Sequence, residues 1–167
     1  VVINAFGIAL ITKAEMGTSP ISSVSYVLSL EFPFSLGQFT FAVNMLFILG
    51  QAVLLKREFK LVQLLQIAVN VIFSLFIDVG MLLLFWLQPT TLVVQILSLL
   101  AGCAVLGLGI SIEVAPDVLM VPGEGMVNAI ARVSKKRFGT VKILFDVTLV
   151  AIAAVLSLVF FGQLRGL

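Results

Sequence analysis

The chain has 167 residues, of which 61% are hydrophobic and only 11% are charged, whereas about a quarter of the residues in a soluble domain are charged. This composition excludes a water-soluble fold and predicts an all-α membrane protein with several spans. One cysteine, no histidine and a net charge of +2 exclude a disulfide framework, a histidine-based metal site and a Ser-His-Asp or Cys-His catalytic centre, and give no support for nucleic-acid binding.

The first apolar run covers residues 1–12 and is too short to cross a bilayer, which takes roughly 20 apolar residues. Because the chain begins with Val1 rather than methionine, we expect this run to be the tail of a spanning helix whose beginning is missing. A cleaved signal peptide is the alternative, but the basic region and the cleavage site that mark one are not visible.

Two short helices are predicted at equivalent places in the chain. They cover residues 20–30 and 122–133, and each begins with a proline, Pro20 or Pro122. Proline is favoured in the first turn of a helix, where its missing N–H costs nothing. Segments of about this length do not cross a membrane and are usually re-entrant or interfacial.

Longer apolar stretches supply the remaining spans. They cover residues 36–55, 61–87, 90–112 and 138–161. Together with the first run they predict five spanning helices in a single membrane domain, residues 1–167. A design of two units with three spans each predicts a sixth span after residue 161, and because the chain ends at Leu167 we expect that span to be missing.

Lysine and arginine in the loops predict the orientation. They form two clusters, Lys56, Arg57 and Lys60, and then Arg132, Lys135, Lys136 and Arg137, whereas residues 88–91 carry no charge. Cytoplasmic loops carry the excess of basic residues. We therefore predict that residues 56–60 and 113–137 are cytoplasmic and that residues 88–91 lie outside.

An internal repeat relates the two halves of the chain at a constant offset of 102 residues. Without any gap, Gly7 matches Gly109, Pro20 matches Pro122 and Gly37 matches Gly139. The first unit covers residues 1–87 and the second residues 90–167. Because three predicted crossings separate equivalent points, the second unit is inverted relative to the first, an arrangement that recurs in secondary transporters.

Intramembrane acids are candidate functional groups, because a charge inside hydrocarbon costs at least about 2.5 to 3.5 kcal/mol. Asp78 and Asp146 are embedded in predicted spans, and the repeat counterpart of Asp146 is Asn44. Asn70 lies eight residues before Asp78 and therefore on the same helix face. We expect these four side chains to meet around a central cavity. The alternative for Asp146 is a local ion pair with Lys142, four residues earlier.

The segments that precede the short helices are the second candidate. Thr18 and Ser19 precede Pro20, and Gly123 and Glu124 follow Pro122. A helix N-terminus carries partial positive charge and free N–H donors, so two such ends facing each other favour an anionic group between them. The alternative is a pair of interfacial loops in which Ser19 caps one helix and Glu124 complements the dipole of the other.

Together these segments resemble a known family. The run over residues 7–20, the Leu36-Gly37 start, the Phe76-Ile77-Asp78 ending and the segment over residues 121–125 are similar to the YitT/YczE family of bacterial integral membrane proteins. The resemblance implies a plasma-membrane protein of about six helices. It is closer to the YczE type, which lacks the soluble C-terminal domain of the YitT type, and it implies no catalytic or binding residues.

The preferred functional hypothesis is a small secondary transporter or permease with a central site between inverted repeats. Its partners are the lipid bilayer and a small anionic or polar solute, and no cofactor or metal is expected. The alternative is a non-transporting regulatory or scaffold protein, for which the sequence shows no specific helix-pairing motif. No nucleophile and base are paired in the sequence, so an enzyme is not expected.

Overall fold

The computed structural model describes residues 1–56, 64–87, 90–114 and 120–163. These residues form seven α-helices: α1 (Val2–Lys13), α2 (Pro20–Glu31), α3 (Leu36–Leu55), α4 (Leu65–Leu83), α5 (Leu92–Val114), α6 (Pro122–Ser134) and α7 (Phe138–Phe161). The basic residues Arg57 and Lys60 and the loop residues 88–89, on which part of the predicted orientation depends, lie outside the described ranges.

Local signals explain where the helices begin. The Ser19 side chain caps α2 by accepting from the Ser22 N–H, and Pro20 occupies the first turn. Ser35 and Gln38 form a reciprocal capping box at the start of α3. The predicted starts at residues 20, 36, 122 and 138 are confirmed. The span predicted over residues 61–87 ends earlier, since α4 stops at Leu83 and turns follow.

Four of the described helices, α3, α4, α5 and α7, are long and apolar enough to span a membrane. Their large apolar side chains point outward, and Leu82, Val159 and Val53 are each 70% exposed or more. Such a surface suits lipid and not water. α1 is apolar but has only 12 residues. Among the described residues the fold is therefore that of a helical membrane protein with four candidate spans.

The short helices lie among the long ones. α2 packs against α3 and α7, and α6 packs against the same two helices. α1 packs against α5 and α4. The core between α1, α3 and α4 contains Ala5, Ile8, Leu36, Phe73 and Ile77, with Val121 from the start of α6. This packing brings the first turns of α2 and α6 to the same interior region.

Candidate functional site

A cavity of about 120 Å³ lies where the starts of α2 and α6 meet α1, α5 and α7. The two starts are in contact, since a Cβ added at Gly123 would lie 3.0 Å from the Ile21 side chain. We call this space the central cavity; its polar lining residues are Asn4, Ser19, Glu124, Lys142 and Asp146, and its apolar ones include Ile8, Phe73, Leu106 and Ile110. A few polar groups in an apolar wall are typical of small-molecule sites.

Lys142 joins two acids at the wall of the central cavity. Its Nζ lies 2.9 Å from Asp146 Oδ1 on the same helix and 3.4 Å from Glu124 Oε1 on α6. The local ion pair considered for Asp146 is therefore present, but it also reaches across to a second helix. The Glu124 side chain is only 6% exposed, and a buried carboxylate requires such a partner.

Glu113, near the end of α5, links three helices beside the cavity. Its carboxylate accepts a hydrogen bond of 2.6 Å from Asn4 Nδ2 on α1 and another from the Val121 N–H that precedes α6. Neither Glu113 nor Asn4 is among the site residues predicted from the sequence. The position of Glu113 as a lone acid at the end of an apolar run was a usable signal, but its repeat counterpart is Ile11, so the repeat did not mark it.

The two hydroxyl residues before α2 have different surroundings. Ser19 is buried, lines the cavity and donates to Ser22 Oγ at 3.1 Å. The Thr18 hydroxyl lies 3.0 Å from that of Thr12, at the end of α1, and Thr18 is not among the lining residues. Of the residues proposed around the helix breaks, Ser19 and Glu124 therefore face the cavity, and Gly123 permits the close approach of α6 to α2.

Asn44 and Asn70 form a pair away from the central cavity. Asn44 Nδ2 donates to Asn70 Oδ1 at 2.9 Å, and Asn70 Nδ2 donates to the Phe41 carbonyl at 3.1 Å. Both side chains are buried between α3 and α4. The expected meeting of Asn44 with Asp146 at one cavity is not seen, because Asn44 is already held by α4.

Asp78 also lies outside the central cavity. It accepts from Ser35 Oγ at 2.7 Å and from the Gly37 N–H at 2.9 Å, both at the start of α3. A helix N-terminus has unpaired N–H donors and partial positive charge, so a carboxylate is stabilised there. Asn70 and Asp78 do share a face of α4 as predicted, but that face packs against α3 rather than lining the site.

Among the described residues, no group of three or more His, Cys, Asp or Glu side chains is arranged to hold a metal ion.

A family model designated DUF6198, a family of unknown function, matches residues 1–167. The chain belongs to this family. No curated protein and no solved structure matches it. The function of this DUF6198 protein must therefore follow from the chemistry of its site.

One prediction concerns the asparagine pair of this DUF6198 protein. A double-mutant cycle on Asn44→Ala and Asn70→Ala is expected to give a coupling of at least about 0.6 kcal/mol, the average for side-chain hydrogen bonds between membrane helices, and at most about 1.7 kcal/mol, the largest. The measurement is the free energy of unfolding in bicelles. Ser74→Ala is the control, because its buried hydroxyl has no hydrogen-bond partner among the described residues and its loss should not destabilise. Strictly additive effects of the two asparagine changes would contradict the pairing.

Proposed function

We propose that the chain is a small-solute secondary transporter or permease whose solute binds in the central cavity and is released on either side of the bilayer in turn. The observation that carries the proposal is the Glu124–Lys142–Asp146 cluster at a cavity between two helix starts. Ionisable groups within membrane segments are expensive and usually mark a solute or proton pathway. In this proposal Ser19 contacts the solute, and Glu124 and Asp146 couple its movement to that of protons.

The proposal includes the inverted repeat, and the helix packing supports it. At an offset of 102 residues, α1 corresponds to α5, α2 to α6 and α3 to α7. If each helix is replaced by its counterpart in the other unit, the contact between α2 and α7 becomes a contact between α6 and α3, and both contacts are present. The contact between α1 and α5 becomes a contact between α5 and α1, so it is unchanged. A two-fold relation between the units requires this pattern.

Individual residues support the same relation. A Cβ added at Gly7 would lie 2.9 Å from the Leu106 backbone, and one added at Gly109 would meet the Asn4 side chain. Gly109 and Leu106 are the repeat counterparts of Gly7 and Asn4, so these are equivalent contacts.

Residues on the proposed two-fold axis should touch their own counterparts. Ile21 and Gly123 are such a pair, and they are in contact.

The proposed axis runs through the central cavity. The lining contains both members of three counterpart pairs, Asn4 with Leu106, Ile8 with Ile110 and Ser19 with Val121. Solute sites of inverted-repeat transporters lie at the repeat interface, where discontinuous helices end. Asn44, Asn70 and Asp78 then hold α3 to α4 and do not contact the solute.

The same proposal places the protein in the bacterial plasma membrane, as the resemblance to the YitT/YczE family implies. The first run then belongs to a fifth span, residues 56–60 face the cytoplasm, and the segment over residues 113–137 enters from the cytoplasmic side. In support, the described basic residues Lys56, Arg132, Lys135 and Lys136 are all exposed, as residues of an aqueous loop should be.

Two-sided accessibility tests the proposal without knowledge of the solute. Ser19→Cys is introduced in a Cys103→Ser background, which removes the exposed native thiol. A membrane-impermeant thiol reagent should label it in both right-side-out and inside-out vesicles. Ser134→Cys, at the exposed end of α6, is the control and should be labelled from one side only. Labelling of Ser19→Cys from one side alone, or from neither, would favour the regulatory or scaffold alternative.

A further inference from the structure

We infer that the central cavity takes a small organic monocation, of the primary ammonium class, and not the anion that two facing helix starts suggest. This inference rests on the proposed function and specifies its solute. It follows from the balance of charges around the cavity, from the partners that the helix starts already have, and from one unpartnered oxygen.

The charged side chains that line the cavity are two carboxylates, Glu124 and Asp146, and one ammonium, Lys142. Glu113 lies beside them but is engaged by Asn4 and Val121. With the three lining groups ionised, two carboxylates exceed one ammonium, so the wall is anionic. A second monocation would complement this wall, whereas an anion would meet repulsion from it in a medium of low dielectric constant.

At each helix start, one backbone donor that could bind an anion is already engaged within the chain. At α6 the Val121 N–H donates to Glu113, and Glu124 places a carboxylate in the first turn. At α2 the Ser22 N–H donates to the capping Ser19 hydroxyl. The partial positive charge at the start of α6 is thus complemented by an acid of the chain itself.

An oxygen acceptor is left over at the same place. Asn4 lines the cavity and is 3% exposed. Its amide nitrogen is used by Glu113, while its Oδ1 has no hydrogen-bond partner among the described residues. A buried acceptor of this kind is costly when unpaired. An alkylammonium ion carries three N–H donors and no acceptor, so it suits a lining of two carboxylates and one amide oxygen.

The volume and the apolar wall restrict the rest of the solute. The cavity measures about 120 Å³, and an engineered cavity of about 150 Å³ admits benzene. A solute of up to about five non-hydrogen atoms therefore fits, with its alkyl part against Ile8 and Phe73. The Lys142 ammonium lies between the two carboxylates as an internal cation with which the solute competes.

The test is the thermal unfolding midpoint of the whole purified protein in detergent with methylammonium or ethylammonium chloride. N-methylglucamine chloride, whose cation is too large for the cavity, is the reference at equal ionic strength. A ligand at 100 times its dissociation constant should raise the midpoint by about 5 to 10 °C. The rise should be lost in Glu124→Gln and in Asp146→Asn. It should persist in Asp78→Asn, whose site lies outside the cavity.

Sodium formate and sodium nitrate complete the panel. A rise with these anions and none with the ammonium ions would overturn the inference and leave the proposed transport function in place. No rise with any salt would also overturn it. Should Glu124→Gln or Asp146→Asn fail to fold, protection of Ser19→Cys from thiol labelling by methylammonium replaces the variant readout, and absence of protection counts against the inference. The labelling of Ser19→Cys from both sides of the membrane needs no solute. Its result therefore tests the transport proposal independently of whether a cation binds.

Discussion

Lys142→Met is expected to lower the free energy of unfolding by about 3 to 5 kcal/mol, because it leaves the carboxylate partners of a buried ion pair without their cation. The unpaired Glu124 carboxylate is expected to contribute most of this loss, since its side chain is 6% exposed while that of Asp146 is 23% exposed. The substitution keeps the length and apolar character of the stem, so the loss reports the charge. Denaturant titration in bicelles measures it.

Two variants separate this effect from a general loss of charge. Lys136→Met makes the same change at an exposed position just before α7 and should stay within about 0.5 kcal/mol of the wild type. Lys142→Met combined with Glu124→Gln should recover much of the loss, because the more deeply buried of the two acids is then neutral and only the partly exposed Asp146 is left without its cation. If Lys142→Met were as mild as Lys136→Met, the ion-pair cluster would not be what holds α6 to α7.

Gly37→Ala is the second large effect expected. A Cβ at this position would lie 2.3 Å from the Ser74 carbonyl oxygen and 2.6 Å from Asp78 Oδ2. The first contact is with backbone, so α3 and α4 must move apart and the hydrogen bond from Gly37 to Asp78 is strained. Overpacking costs about 1 to 3 kcal/mol and occasionally more, which exceeds the gain of up to about 1 kcal/mol from better helix propensity.

Gly107→Ala provides the matched control for this change. Gly107 lies within α5, and a Cβ there would meet nothing within 4 Å. It should be neutral or should stabilise by up to about 1 kcal/mol. Equal melting temperatures for the two alanine variants would show that α3 and α4 do not approach at Gly37 as described.

Much of the helix layout follows from local signals in the sequence. Pro20 and Pro122 mark helix starts because proline suits only the first turn of a helix. Ser35 followed by Gln38 forms a capping box, which is also readable from spacing. The apolar stretches give the long helices, since their length is set by the bilayer. The predicted end of the stretch over residues 61–87 is less accurate, since α4 stops at Leu83. An apolar run does not show where its helix stops.

The candidate site was only partly predictable, because its contacts join residues far apart in the chain. The pair of Lys142 with Asp146 is readable from a spacing of four residues, but its extension to Glu124 depends on how α6 packs on α7. Likewise, an acid within an apolar run is predicted to be a functional group, but Asp78 accepts a hydrogen bond from the Gly37 N–H and so caps the neighbouring helix α3. Which of these roles an acid takes depends on the element it faces.

The most direct test of the account is a cross-link between the starts of the two short helices. Ile21→Cys and Gly123→Cys are introduced together in a Cys103→Ser background. Because residues 21 and 123 are in contact, the two thiols should form an intramolecular disulfide under mild oxidation in native membranes. Mass spectrometry of the digested protein identifies it. A disulfide in high yield would place both starts at one interior site. If each thiol is instead labelled separately at opposite membrane surfaces and no disulfide forms, the short helices are interfacial and there is no central cavity between them.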